Sequence, residues 1–183
     1  MSESFNGPYQ VNSSKQVYKN PWIIVREDRV THPGGTAGVF GVVEMKPGST
    51  VLAIDDCQQV YFVREFKYAM QVESLELMSG GLDQAESPLQ AAQRELQEEL
   101  GLRAKDWIDL GVINPFTTVV KSPNYMFMAS DLTNAPKSPD DSEQLEVVKI
   151  PFPDALEMVM AGKISHAASC VCLLKAARLR EHG

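Results

Sequence analysis

From residue 15 onward, short apolar runs alternate with turn signals. Gln16-Val17-Tyr18, Trp22-Ile23-Ile24-Val25 and Val39-Phe40-Gly41-Val42-Val43 are rich in β-branched and aromatic residues. Asn20-Pro21 and Thr31-His32-Pro33-Gly34-Gly35 break them, which predicts an antiparallel meander over residues 15–45. After the turn Lys46-Pro47-Gly48, strands are predicted at 50–54 and 59–64, joined as a hairpin through Asp55-Asp56-Cys57-Gln58. A third strand at 72–77 leads into Ser79-Gly80-Gly81.

The period then changes. Ser87 is a natural N-cap, Pro88 suits the first helical position, Gln90 completes a capping box and Gly101 stands where a left-handed residue ends a helix. Leu89, Ala92, Leu96 and Leu100 advance by three and four, so a helix over 88–100 is predicted with these four on its buried stripe. Further strands are expected at 107–113, 125–129 and 145–150, and helices at 154–161, stopped by Gly162, and at 166–180. Strands interspersed with helices predict an α/β domain with a mixed sheet covered by helices.

Composition narrows the possibilities. The 183 residues are 44% apolar and carry 17 Lys+Arg against 24 Asp+Glu, a formal charge of −7. A chain of this size buries roughly 70% of its unfolded surface, enough for a core of its own. The acidic balance speaks against a nucleic-acid duplex as partner, since phosphate contacts come chiefly from Lys and Arg. Residues 1–20 are polar, and no later run has the length of a membrane span, so neither export nor membrane insertion is expected. The three cysteines, Cys57, Cys170 and Cys172, are an odd number in a domain too large to need staples. They point to the cytoplasm, with all three serving as small core residues.

The chemistry concentrates on the capped helix. Glu95 and Glu99 are four apart and share a face, with Glu98 beside them. Arg94 lies four before Glu98 and is expected to neutralise only one of the three carboxylates. Like charges at this spacing, near the negative end of a helix dipole, are mildly destabilising. A divalent cation reverses both penalties; a solvated acidic face is the bland alternative. The wider spacing decides between them: Gly80, five residues, Glu86, seven residues, then Arg94-Glu95-Leu96-Gln97-Glu98-Glu99-Leu100-Gly101-Leu102. Seven fixed identities, each at roughly one in twenty, coincide by chance in about one window per billion.

At these residues the chain resembles the Nudix hydrolases and matches their 23-residue box at every defining position. Val63-Arg64-Glu65-Phe66-Lys67-Tyr68-Ala69 and Glu76-Leu77-Met78-Ser79-Gly80-Gly81 resemble segments of the ADP-ribose and nucleoside diphosphate sugar pyrophosphatase branch. So does the tail from Asp140 through Ala161-Gly162-Lys163-Ile164-Ser165. The resemblance implies an α/β/α sandwich with a mixed sheet over residues 47–183. It also implies an N-terminal antiparallel β extension over residues 1–46 that swaps across a homodimer.

The resemblance further implies Mg²⁺, with Mn²⁺ as a substitute, held by Glu95, Glu98, Glu99 and the backbone carbonyl of Ser79. Such ions are bound by carboxylates and keep positions for water and substrate phosphates. Glu98 and Glu99 are thereby catalytic, and a carboxylate on the loop from Lys137 to Glu146 takes the proton of the attacking water. Glu143 aligns with that base, Asp141 being the alternate. Arg64, Lys67 and Glu76 are the implied substrate-binding groups. Gly80, Glu86 and Arg94 are structural members of the motif, with Arg94 pairing to Glu86 or to a metal-binding carboxylate, and Gly80 and Gly81 either cradling phosphate or letting the loop turn. Tyr18, Trp22 and Phe40 are available for base stacking, although strand aromatics are more often core.

Some residues depart from the branch. The region 113–124 lacks its Ser-Pro-Gly, the Glu that often follows in that branch is replaced near Ser122, Met78 replaces Pro and Lys67 replaces Arg. These favour a broader hydrolase of nucleoside diphosphate sugars, ADP-ribose and ADP- or GDP-hexoses among them, over one restricted to ADP-ribose. A dinucleoside polyphosphate, NADH or a capped RNA end are alternative substrates, and a non-catalytic nucleotide-sugar sensor is the alternative from another class.

Overall fold

The computed structural model describes residues 4–137 and 145–181. In chain order the elements are β1 (Ser4–Asn6), β2 (Tyr9–Lys19), β3 (Ile23–Thr31), β4 (Ala37–Met45), β5 (Gly48–Ala53), β6 (Gln59–Lys67) and β7 (Val72–Gly81). They continue with α1 (Pro88–Leu100), β8 (Leu102–Ile113), β9 (Val120–Lys121), β10 (Asn124–Asn134), β11 (Glu146–Pro151), α2 (Phe152–Met160) and α3 (Ala167–Arg180). The chain forms two compact units, residues 1–46 with 114–122, and residues 47–113 with 123–183.

The first unit is a single sheet in the order β1-β2-β3-β4-β9. Its start is longer than the apolar pattern announces. β1 is exposed and the start of β2, Tyr9 to Val11, only half-buried, and they pair across Gly7, whose φ of 57° supplies the positive dihedral of a tight turn. Between β2 and β3 the Asn20 side chain accepts from the amides of Trp22 (2.9 Å) and Ile23 (2.7 Å), an Asx turn. Asp28, buried mid-sheet, is satisfied by Ser14 Oγ and Arg26 Nε.

The second unit is a six-stranded mixed sheet in the order β11-β6-β7-β5-β10-β8, with only β5 and β10 parallel among its neighbours. Alternate side chains feed two cores, as the period of a strand requires. Val51, Ala53, Met78 and Phe127 pack against Ala92 and Leu96 of α1. Leu52, Ile54, Phe62 and Leu77 pack with Phe152 of α2 and Leu173 of α3. Each Val, Leu, Ile, Phe or Met among them contributes about 1.5–3 kcal/mol when fully buried. Helices thus cover both faces of the mixed sheet, the sandwich expected from the sequence.

The predicted hairpin between 50–54 and 59–64 does not form. The turn is present, with Gln58 N donating to Asp55 O (2.8 Å), but β5 and β6 share only an Ile54–Val60 bridge. β7 separates them: its residues 72–77 pair with β6 and its residues 78–81 with β5. A turn is a local signal, whereas the neighbour of a strand is chosen by the whole sheet.

The caps of α1 follow the sequence. Ser87 N donates to Gln90 Oε1 (2.9 Å), Gln90 N donates to Ser87 Oγ (3.3 Å), and Gly101 closes the helix at φ 65°. Its buried stripe differs from the prediction. Ala91, Ala92, Leu96 and Glu99 are buried, while Leu89 is 37% exposed and Leu100 half-buried. The cysteines also differ: Cys57 lies exposed in the turn after β5, Cys170 is half-buried, and only Cys172 is a core residue. Burial pushes the Cys172 thiol up to about 12.

Candidate active site

Arg94 of α1 gathers three carboxylates around one guanidinium. Arg94 Nε and Nη2 donate to the two oxygens of Glu86 at 2.9 and 3.0 Å, and Nη1 donates to Glu95 (2.8 Å) and Glu98 (3.0 Å). Nη2 also donates to the carbonyl of Gly81 (3.0 Å), tying the helix to the end of β7. Arg94 therefore hydrogen-bonds to three carboxylates, while its single charge balances only one of them. Its own pKa is raised, chiefly by the Glu86 bonds, and that of Glu86 is lowered, chiefly by Arg94. One positive charge still faces three negative ones, so the helix end stays strongly acidic.

Gly80 gives Glu95 its place. A Cβ on residue 80 would stand 2.0 Å from the Glu95 carboxyl carbon, so the absent side chain is the space this carboxylate fills. Gly80 and Gly81 close β7 in extended conformation, without positive φ. Close approach of Glu95, more than turning, is what excludes a larger residue at 80.

Glu99 of α1 is 8% exposed. It lines a polar cavity of about 120 Å³ with Ser79 and Glu76 of β7, Glu65 and Lys67 of β6, and Leu145. Burial works against the charge on Lys67, but the bond to Glu65 and the field of Glu76, 3.6 Å away, outweigh it and raise the pKa. The Ser79 hydroxyl is engaged, donating to Leu77 O (3.0 Å) and lying 2.7 Å from Thr50 Oγ1. The donors facing the cavity are thus mainly carboxylate oxygens, the ligand type of hard divalent cations. Among the described residues no three His, Cys, Asp or Glu side chains converge as a ready ligand set.

The sequence-predicted residues divide into groups. Ser79, Glu99, Glu76 and Lys67 meet at the cavity, and Glu86, Arg94, Glu95 and Glu98 form the cluster beside it. Arg64 joins neither: on β6 between Val63 and Glu65, it turns to its cross-strand partner Glu146 (2.8 Å). Glu143 and Asp141 lie outside the described residues. Tyr18, Trp22 and Phe40 are exposed rather than core, Trp22 at 71%.

Three residues went unnoticed in the sequence. Glu65 was legible from its period-two spacing to Lys67. His166 and Ser169, which reach Glu76 and Leu77 from the start of α3, left no local signal because more than 85 residues separate the partners.

The family model described as NUDIX domain matches residues 45–168, around α1 and the cavity. The chain belongs to the Nudix family. A second model, the nucleoside diphosphate sugar hydrolase N-terminal domain, matches residues 9–43 of this Nudix protein. It is 25% identical over 169 residues to the ADP-ribose pyrophosphatase of Bacillus subtilis, covering 88% of each chain. To the ADP-sugar pyrophosphatase of Mus musculus it is 28% identical over 173 residues, covering 85% of this chain and 79% of that one. A crystal structure of an ADP compounds hydrolase superposes with a TM-score of 0.85 at 21% identity, covering 98% of this chain and 97% of the other, and confirms the Nudix fold. The enzymatic class expected from the sequence, a Nudix pyrophosphohydrolase, agrees with these findings. Nudix hydrolases generally use a divalent metal ion.

Proposed function

We propose that this Nudix protein hydrolyses the diphosphate bond of nucleoside diphosphate sugars, ADP-ribose and ADP- or GDP-hexoses among them, to a nucleoside monophosphate and a sugar phosphate. The observation that carries the proposal is the buried Glu99 facing Ser79 and Lys67 in one polar cavity beside the Arg94 cluster. The tandem match to a nucleoside diphosphate sugar hydrolase N-terminal domain and a Nudix domain supports the substrate class.

The oxygen-rich donor set fits Mg²⁺, with Mn²⁺ as substitute. Glu95, Glu98, Glu99 and the Ser79 carbonyl would hold it. A bound divalent ion neutralises phosphate charge and lowers the pKa of a coordinated water. The chain's own groups do the rest. Arg94 holds Glu95 and Glu98 in place as an orienter, and Lys67, itself held by Glu65 and Glu76, offers a fixed cation to a substrate phosphate. Glu143 is the proposed proton acceptor, with Asp141 the alternate; Leu145, two positions on, lines the cavity. Arg64 would bind substrate only after leaving Glu146.

A homodimer through the N-terminal sheet is part of the proposal, supported by the exposed Phe5, Val17, Trp22 and Val39 on so small a sheet. No described helix is long and apolar enough to cross a membrane. The three free cysteines support a reducing compartment, the cytoplasm, as its place. The test is a panel of ADP-ribose, ADP-glucose, GDP-mannose, a dinucleoside polyphosphate, NADH and capped RNA, with Mg²⁺ or with EDTA, products resolved by chromatography. Nucleotide monophosphate and sugar phosphate in equal amounts from the sugar nucleotides are expected. Preferential cleavage of the other substrates, or none at all, overturns the reading.

A further inference from the structure

β7 changes partners at one point. Its pairing with β6 ends at Leu77 and its pairing with β5 begins at Met78. Leu77 is fully buried, and its amide donates to the hydroxyl of Ser169 on α3 (2.8 Å). The hydroxyl thus supplies a partner to a buried N–H at the partner switch, where an unpaired one costs about 1–3 kcal/mol.

Ser169 is itself fully buried, and its Oγ lies 2.8 Å from His166 Nδ1. Having accepted from Leu77, the hydroxyl keeps one proton, and the ring nitrogen is the acceptor in reach. Donation to Nδ1 satisfies both groups and requires the ring proton to sit on Nε2. Nδ1 also stands 3.6 Å from Glu76 Oε2, beyond a hydrogen bond, so a neutral ring leaves Lys67 as the cation facing that carboxylate. The groups around His166 are thus Ser169 from its own helix and Glu76, with Lys67 beyond it, from the sheet.

We propose that His166 and Ser169 form a hydroxyl–imidazole clamp, with His166 as the Nε2–H tautomer, that fixes β7 at its partner switch and so positions Glu76 and the Ser79 carbonyl. Both are positioning residues for the reaction set out above, on which this inference rests. Leu77 lies between the two groups it aligns, one residue from Glu76 and two from Ser79. Burial holds the pKa of His166 below its ordinary value, in keeping with a neutral ring.

The experiment joins a spectroscopic readout with a variant series. In ¹⁵N-labelled full-length protein at neutral pH, the His166 ring is expected to show an unprotonated Nδ1 and a protonated Nε2. A proton on Nδ1 overturns the clamp. His166→Leu and Ser169→Ala should lower kcat on the order of tenfold or more, as loss of outer-layer hydrogen bonds does. His166→Asn, whose amide oxygen stands in for Nδ1, should recover most of that loss, whereas His166→Gln should not. Unchanged kcat in His166→Leu, or an Asn variant no better than Leu, overturns it as well. The tautomer needs no turnover: the expected ring signature in a chain that cleaves no nucleotide sugar would count against the substrate reading and support the clamp.

Discussion

The carboxyl group of Glu95 occupies the space that a side chain on residue 80 would need, with only 2.0 Å between its carboxyl carbon and the position of a Cβ there. The glycine of the motif and its first acidic helix residue are therefore one steric unit, although fourteen positions separate them along the chain. Gly80→Ala should displace Glu95 and lower kcat/KM on the order of 100-fold, since small misplacements of reacting groups cost that much. The fold should lose little stability, because the atoms met belong to the far end of a flexible side chain. Denaturant unfolding and steady-state kinetics check both.

Arg94 binds Glu86, Glu95, Glu98 and the Gly81 carbonyl, so its removal leaves three carboxylates in mutual repulsion. Arg94→Gln is expected to destabilise by about 2–4 kcal/mol. Arg94→Lys should recover only part of this, because an ammonium lacks the planar fork that reaches all of them. The urea midpoints of the two variants measure the difference.

How much of this was legible beforehand depended on how far each signal travels. The caps of α1 are set within four residues of each helix end, and Ser87, Gln90 and Gly101 stand where local chemistry puts them. The motif glutamates were legible for the same reason. β1 and the first half of β8 were not, because residues such as Ser4 and Arg103 pair across a sheet while facing solvent and leave no apolar pattern. Leu89, expected in the core, is exposed, while Glu99, the polar member of the buried stripe, faces the cavity. The partner switch at Leu77, the turn of Arg64 toward Glu146 and the approach of His166 to Glu76 are all properties of distant chain meeting distant chain.

Two titrations shape stability on the acid side. Burial holds His166 below its ordinary 6.5, with Glu76 favouring the proton and Lys67 opposing it. The unfolded chain then takes up this proton first, so stability is fully present above 6.5 and declines as pH falls below it. Glu86, depressed below 4.5 mainly by its bond to Arg94, adds stability that is present above 4.5 and lost at lower pH. Chemical denaturation as a function of pH should show the first decline in the wild type and its absence in His166→Asn.

The candidate base is separable from its neighbour. Glu143→Gln should lower kcat by about 100- to 10,000-fold with a small change in KM, the range for losing a general base. Asp141→Asn should leave kcat within about threefold, a change of only ~0.6 kcal/mol. The reverse pattern in steady-state kinetics assigns the proton to Asp141 instead.

Turnover of ADP-ribose by the wild type and by Glu99→Gln, each assayed with Mg²⁺ and with EDTA, tests the central claim most directly. Mg²⁺-dependent cleavage to AMP and ribose phosphate is predicted for the wild type, stopped by EDTA and lowered by at least about 1,000-fold in Glu99→Gln. Cleavage that persists in EDTA, or a Glu99→Gln variant that turns over at the wild-type rate, would contradict it.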